Sequence, residues 1–274
     1  MLVSADIAPG SRSEAMSLIA KKIRVELGGK TIINNVDFRA DEGQLIGILG
    51  PSGCGKSTLL RALSGFRPAT AGTVRLEGED LYANFNDLKM QIGYVPQDDV
   101  VPLSLKVERV LLYSAELRLA GEPPDIRKGR VSGVIQKLGL AKSRNQRVSK
   151  LSGGQRKRVS VGIELLTRPS ILFADEPTSG LDPALERSLT QVLSGLTKDG
   201  SIVIVTTHIM SSLDLLDRVC VLSAGRLVFF GEVSELKPFF EVEDYIDIYT
   251  KLQSRSAEAW QNAFQQSGLA AKYL

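Results

Sequence analysis

The sequence has only two cysteines among its 274 residues, Cys54 and Cys220, and a single histidine, His208. So few thiols exclude a disulfide framework, and reduced cysteines in a cytosolic protein are the simpler reading. No run approaches the ~18 to 20 consecutive apolar residues that a membrane-spanning helix needs. The most apolar stretches, Gln44 to Leu49, Ile202 to Val205 and Leu227 to Phe230, have the length of buried strands. Residues 1–16 lack the apolar core of a secretory signal and read as a polar leader. The net charge is only +3, and the basic cluster Arg156-Lys157-Arg158 is too short to argue for nucleic acid. No internal repeat is visible. A role at a membrane must therefore run through a partner or a segment outside this sequence. What is present is ordinary for a chain that can bury a core: 43% hydrophobic and 24% charged residues.

From Leu18 to Phe38 apolar and polar residues alternate around Gly28-Gly29, which predicts an antiparallel hairpin with one wet face. Gln44 to Leu49 reads as a short strand running into a glycine-rich turn and a helix over Lys56 to Leu63. Strands are expected around Thr73 to Leu76 and Gly93 to Val95. From Val107 to Leu140 the period becomes helical, with Pro123-Pro124 separating two helices. Apolar strands return at Ile171 to Ala174 and Ile202 to Thr206, and Arg218 to Leu222 with Arg226 to Phe230 forms a second hairpin. Strands alternating with helices imply an α/β fold with a mainly parallel sheet covered on both faces. The helical stretch between them reads as an inserted subdomain.

Gly50-Pro51-Ser52-Gly53-Cys54-Gly55-Lys56-Ser57-Thr58 fits the P-loop pattern in its required setting, a strand before and a helix after. Glycines let the backbone wrap closely enough for successive N–H groups to point at a phosphate, and the helix start adds its positive dipole end. Lys56 is then expected to bridge β- and γ-phosphates and the Ser57 hydroxyl to ligate Mg²⁺. Cys54 is a small loop residue. This motif alone leaves kinases, GTPases and DNA motors open. Ile171 to Ala174 ends in Asp175-Glu176, which places Asp175 to hold the metal through its water shell and Glu176 to polarise an attacking water. General-base assistance of that kind contributes ~10²- to 10⁴-fold in rate.

Leu151-Ser152-Gly153-Gly154-Gln155 narrows the field, because it resembles the signature of ATP-binding cassette (ABC) ATPases. Physically it is a serine and two glycines opening a helix, a second anion site. The resemblance spans roughly Ser17 to Phe240. It implies that this loop meets the γ-phosphate held by another subunit's P-loop, so that ATP joins a head-to-tail dimer. It also implies that Gln97 joins core to helical subdomain and senses Mg²⁺ and water, and that Asp182 in Ser179-Gly180-Leu181-Asp182 crosses the dimer interface. His208, after Thr206-Thr207, matches the histidine that contacts the γ-phosphate. The run from Leu151 to Leu166, Asp175 to Asp182, and Leu227 to Gly231 with Phe239-Phe240 is similar to White-type (subfamily G) cassettes.

That resemblance implies a P-loop NTPase with a mainly parallel core sheet, an antiparallel β subdomain and an inserted helical subdomain at about 98–160. The cassette would occupy 17–240. Residues 241–274 form a helical extension, of which Ser256 to Leu274 leads toward a membrane domain. The implied ligands are ATP and Mg²⁺. The implied partners are a second cassette, as a homodimer, and a transmembrane permease, fused or separate, at the cytoplasmic face of a membrane. Export is the implied direction, with no role in binding nucleic acid. DNA-repair and chromosome ABC ATPases carry long coiled-coil insertions, for which Lys56 to Leu151 has no room, and translation-associated relatives carry tandem cassettes. A non-catalytic cassette sits poorly with intact Lys56, Gln97, Asp175, Glu176 and His208. One departure stands out: Leu27 occupies the position where most of the superfamily stacks an aromatic ring on adenine.

Overall fold

The computed structural model describes residues 16–208, 210 and 212–274, so the leader expected at 1–16 lies outside it except for Met16. Strands β1 (Ser17–Leu27) and β2 (Lys30–Asp41) make the expected hairpin, turned by Gly28 and Gly29 at φ of 55° and 74°. Two successive left-handed residues match the right-handed twist of the strands they join. There follow β3 (Leu45–Leu49), α1 (Lys56–Leu63), β4 (Ala71–Leu76), the two-residue β5 (Glu79–Asp80), a short α2 (Phe85–Leu88) and β6 (Ile92–Val95). β5 and α2 are too short to leave a periodic signal in the sequence. The antiparallel strands assemble in the order β2-β1-β4-β5.

The helical stretch contains α3 (Val107–Arg118), α4 (Pro124–Lys137) and α5 (Gly153–Leu165). Pro124 opens α4, where a missing N–H costs nothing. Then come β7 (Ile171–Ala174), α6 (Pro183–Thr197), β8 (Ile202–Thr206), β9 (Arg218–Ser223) and β10 (Arg226–Gly231). The second sheet runs β10-β9-β3-β8-β7-β6, parallel throughout except for the edge pair β9 and β10. β3, β7 and β8 are buried at every residue, as a sheet covered on both faces requires.

The period-2 geometry of strands sorts these residues between two cores. Ile46, Ile48, Ile171, Phe173, Ile202 and Ile204 face the antiparallel sheet and α1. Leu45, Leu172, Ala174, Val203 and Val205 face α3, α4, α5 and α6. The tail forms α7 (Val233–Phe240), α8 (Asp247–Leu252), α9 (Ala257–Gln266) and α10 (Leu269–Tyr273). It packs back on the body, because Trp260 and Phe264, four residues apart, share one face of α9 and are each 2% exposed. Trp260 joins a third core with Phe229, Phe240 and Ile248. Phe264 and Tyr273 reach the core of the antiparallel sheet, and Lys21 Nζ donates to the Leu274 carbonyl at 2.6 Å. Among the described residues no helix is long and apolar enough to cross a membrane.

Candidate functional site

Parallel strands deliver their C-terminal ends to one edge of the sheet, where ligands of open α/β folds bind. Here that edge collects Gly50 after β3, Gln97 after β6, Asp175 and Glu176 after β7, and His208 after β8. At Gly50 the backbone has φ 148°, and a Cβ would meet the Leu222 carbonyl at 2.3 Å and Cys54 Sγ at 2.6 Å. Gly55 is the N-cap of α1 at φ 105°, with no side chain capping the helix. The first amides of α1 are therefore left without a side-chain cap, and Pro51, Ser52 and Gly53 stand exposed around them. Lys56 is buried beneath this loop, and its ammonium donates to the Gly50 and Pro51 carbonyls at 2.9 and 3.1 Å. Thr58 is half-buried one position after Ser57. Burial pushes the Cys54 thiol up against the opposing charge of Lys56, which keeps it a neutral packing group.

Asp175 is 1% exposed, and a carboxylate so buried must be matched by donors. Ser57 Oγ donates to Oδ1 at 2.8 Å and Thr206 Oγ1 to the same oxygen at 2.7 Å. Tyr94 Oη lies 3.5 Å and an Arg61 guanidinium nitrogen 3.8 Å from Oδ2. Burial raises the Tyr94 phenol, with the Arg61 guanidinium acting against it, so the hydroxyl remains a donor. Thr206 also accepts from the Glu176 N–H at 2.8 Å, which holds Glu176 in the left-handed region at φ 44°. Residues other than glycine populate that region sparsely. Glu176 Oε2 is the meeting point of the remaining motifs: Gln97 Nε2 donates to it at 3.3 Å and His208 Nδ1 stands 3.8 Å away.

Among the described residues no group of three or more His, Cys, Asp or Glu is placed to hold a metal ion. Mg²⁺ needs no such cage, since it keeps several waters and takes one or two carboxylates plus substrate phosphates. The adjacent Ser57 hydroxyl and Asp175 carboxylate are a donor pair of that kind.

The other expected residues lie elsewhere. Ser152 is the N-cap of α5, and with Gln155 it forms a reciprocal capping box at 3.3 and 3.1 Å. Gln155 Nε2 donates further to Ser143 Oγ, and Gly153 and Gly154 rest against Leu181 and Leu185. Leu151 is buried in the second core. Among the described residues no hydrogen bond joins Leu151–Gln155 to the P-loop. Asp182 caps α6 through the Ala184 and Leu185 amides, both at 3.0 Å. Reading the sequence missed Lys157. It is buried on α5, donates to the Gln97 carbonyl and lies 3.2 Å from Asp99, so the signature helix grips the Gln97 loop. Thr206, Tyr94 and Arg61 were also missed. Thr206 carried a faint signal, a lone hydroxyl ending an apolar strand in front of His208.

This arrangement defines a nucleotide-binding P-loop NTPase. A family model described as ABC transporter matches residues 33–179, and the chain belongs to that family. It is 44% identical over 228 residues to an ABC transporter ATP-binding/permease protein of Mycobacterium tuberculosis, covering 81% of this chain and 26% of the relative. It is 38% identical to ABC transporter G family member 5 of Oryza sativa subsp. japonica, covering 77% of this chain and 28% of that protein. With ABC transporter G family member 17 of Arabidopsis thaliana the identity is 40%, over 77% of this chain and 33% of the relative. The chain thus has the G-type cassette pattern and spans only 26 to 33% of the length of these relatives.

Proposed function

We propose that this chain is the ATP-hydrolysing engine of an exporter, working as a homodimer beneath a transmembrane permease at the cytoplasmic face of a membrane. In this reading 17–240 is the cassette, about 98–160 its helical subdomain, and 241–274 an extension toward the membrane part. The observation that carries the reading is the convergence of Gln97 and His208 on Glu176 Oε2, beside the Ser57–Asp175 pair at the mouth of the P-loop.

P-loop amides and Lys56 hold the β- and γ-phosphates, and the Lys56 ammonium exchanges its loop carbonyls for phosphate oxygens. Ser57 and Asp175, with Gln97 nearby, would hold Mg²⁺, which would supply neutralisation of phosphate charge. Glu176 accepts a proton from water as the water oxygen bonds to the γ-phosphorus, while the bond to the ADP oxygen breaks and ADP departs. His208 orients that water and donates toward the transferring group. Ser152, Gly153, Gly154 and Gln155 of the second copy face the same γ-phosphate, and the loop around Asp182 lies along the shared interface.

Lys157 links this chemistry to the helical subdomain, since it holds the carbonyl of the very residue that touches Glu176. A cleft of about 500 Å³ is lined by Phe66, Phe85, Tyr94, Val100 and Ile163, with Lys89, Arg118 and Glu164 among its charged members. Phe66 is 57% and Val100 77% exposed, an apolar patch suited to a helix of the membrane partner. The test is phosphate release by the 274-residue chain with MgATP. Turnover should rise faster than linearly with protein concentration and vanish in Glu176→Gln, which should accumulate as an ATP-bound dimer. Strictly linear turnover overturns the dimeric site, and wild-type turnover in Glu176→Gln overturns the base.

A further inference from the structure

His208 sits on the loop after β8 with 54% of its side chain exposed, and its ring approaches Glu176 only to 3.8 Å. The start of the loop is tied to β3, where the Thr207 N–H donates to the Ile48 carbonyl at 3.0 Å. Tyr249 of α8, 41 residues further along, adds a second tie: its hydroxyl donates to the His208 carbonyl at 3.3 Å. The Tyr249 ring packs on the third core, which contains Leu49, the residue before Gly50. Met210, two residues past His208, packs on the same core. Ile248 and Leu252 of α8 are buried there too, so the short helix is anchored on both sides of the tyrosine.

Burial, with smaller contributions from Cys54 and Glu176, pushes the Tyr249 phenol up to about 12, against the Gly50 backbone, which acts to lower it. The hydroxyl therefore keeps its proton and remains a donor across the working range.

We propose that Tyr249 is a positioning residue for hydrolysis, fixing the His208 loop against the P-loop strand and making α8 part of the working site. The inference rests on the ATPase reading above and adds to it a residue from the segment read as a mere extension. It also explains why a helix of six residues should be pinned by two buried aliphatic side chains. The hydroxyl is spent on a backbone carbonyl that belongs to the active-site loop, where a purely packing ring needs no hydroxyl.

Tyr249→Phe keeps the ring and removes the hydrogen bond. A lost neutral hydrogen bond corresponds to about a 3- to 10-fold change. We expect kcat to fall by that factor, with KM for ATP unchanged and Tm lowered by no more than about 2–4 °C. The chain holds a single histidine, so one imidazole C2–H resonance reports its environment, and that resonance should move in Tyr249→Phe. A kcat within twofold of wild type overturns the proposal. So does a rate loss that leaves the histidine resonance in place, which would mark Tyr249 as structural. Glu176→Gln, assayed alongside, separates the two levels: if it turns over like wild type, the ATPase reading fails and this inference with it. If it is inactive while Tyr249→Phe is unaltered, only the inference fails.

Discussion

The P-loop end of the central sheet and the Leu151–Gln155 loop are both glycine-rich starts of helices, yet the structure finishes them differently. At α1 the N-cap is a left-handed glycine with no side-chain cap. Beside it Lys56 donates to the Gly50 and Pro51 carbonyls, and Ser57 to Asp175. At α5 the N-cap serine and the glutamine three positions on already satisfy each other's amides, a complete capping box. The second is a stable helix start with an exposed serine. In the shared site proposed above, the first half would bind nucleotide alone, and the second would add little until the copies meet.

Inactivating the two halves on different chains should give the largest effect. Ser152→Asp preserves the helix cap, since aspartate caps as well as serine, but it sets a negative charge toward the partner's γ-phosphate. Lys56→Met keeps the buried volume and removes the phosphate-binding charge. Each variant alone should lose on the order of 100-fold in phosphate release, as loss of one group that stabilises transition-state charge typically costs. Mixed in equal amounts, half of the dimers would carry one intact composite site, so the mixture should recover roughly a quarter of wild-type turnover. A mixture no faster than its components would put the whole site in one chain.

A smaller effect comes from the buried support of the P-loop half. Thr206→Val removes the hydroxyl that donates to Asp175 and accepts from the Glu176 amide. With volume kept, the loss is polar: a buried N–H at a left-handed residue goes unpaired, at ~1–3 kcal/mol. Denaturant unfolding should report that destabilisation, and phosphate release should fall by about tenfold as Glu176 loses its backbone anchor. Unchanged stability would mean that water replaces the hydroxyl.

The two halves also differ in how much of them a sequence can carry. Gly50 to Thr58 and Ser152 to Gln155 are contiguous, and each residue's geometry follows from its neighbours, so both motifs and the flanking strand and helix were legible. The pairing of Asp175 with Ser57 spans 118 residues, yet it was foreseeable because each end belongs to a contiguous motif. Thr206, Tyr94 and Lys157 belong to none. Their roles arise only where β8, β6 and α5 pass one another, and a threonine ending an apolar run looks like any other strand residue. The basic cluster at Arg156-Lys157-Arg158 shows the same limit from the other side. In the fold Lys157 is buried, and Arg158 donates to the Leu138 carbonyl and to Ser188. The tail was the least legible part, because its burial depends on β10 and β1 being in place to receive Trp260 and Phe264.

The phosphate end and the base end of the nucleotide site offer the last contrast, and the gentlest test. The P-loop is expected to grip phosphate, whereas the position expected to meet adenine is Leu27, half-buried at the end of β1 and packed on the first core. A leucine presents apolar surface with no π-face and no group that reads a base edge. Affinity should therefore come almost wholly from the phosphates, with ATP and GTP binding within about threefold of each other. Leu27→Tyr would add stacking, worth ~1–3 kcal/mol per base in full contact. Because the strand-end side chain already leans on the core, only part of that is available. Fluorescence titration should show both nucleotides bound about 5- to 10-fold more tightly, with unchanged turnover per bound ATP. Stacking tolerates any base, so the ATP-to-GTP ratio should hardly move. A strong ATP preference in the natural chain that disappears in Leu27→Ala would show that Leu27 reads the base after all.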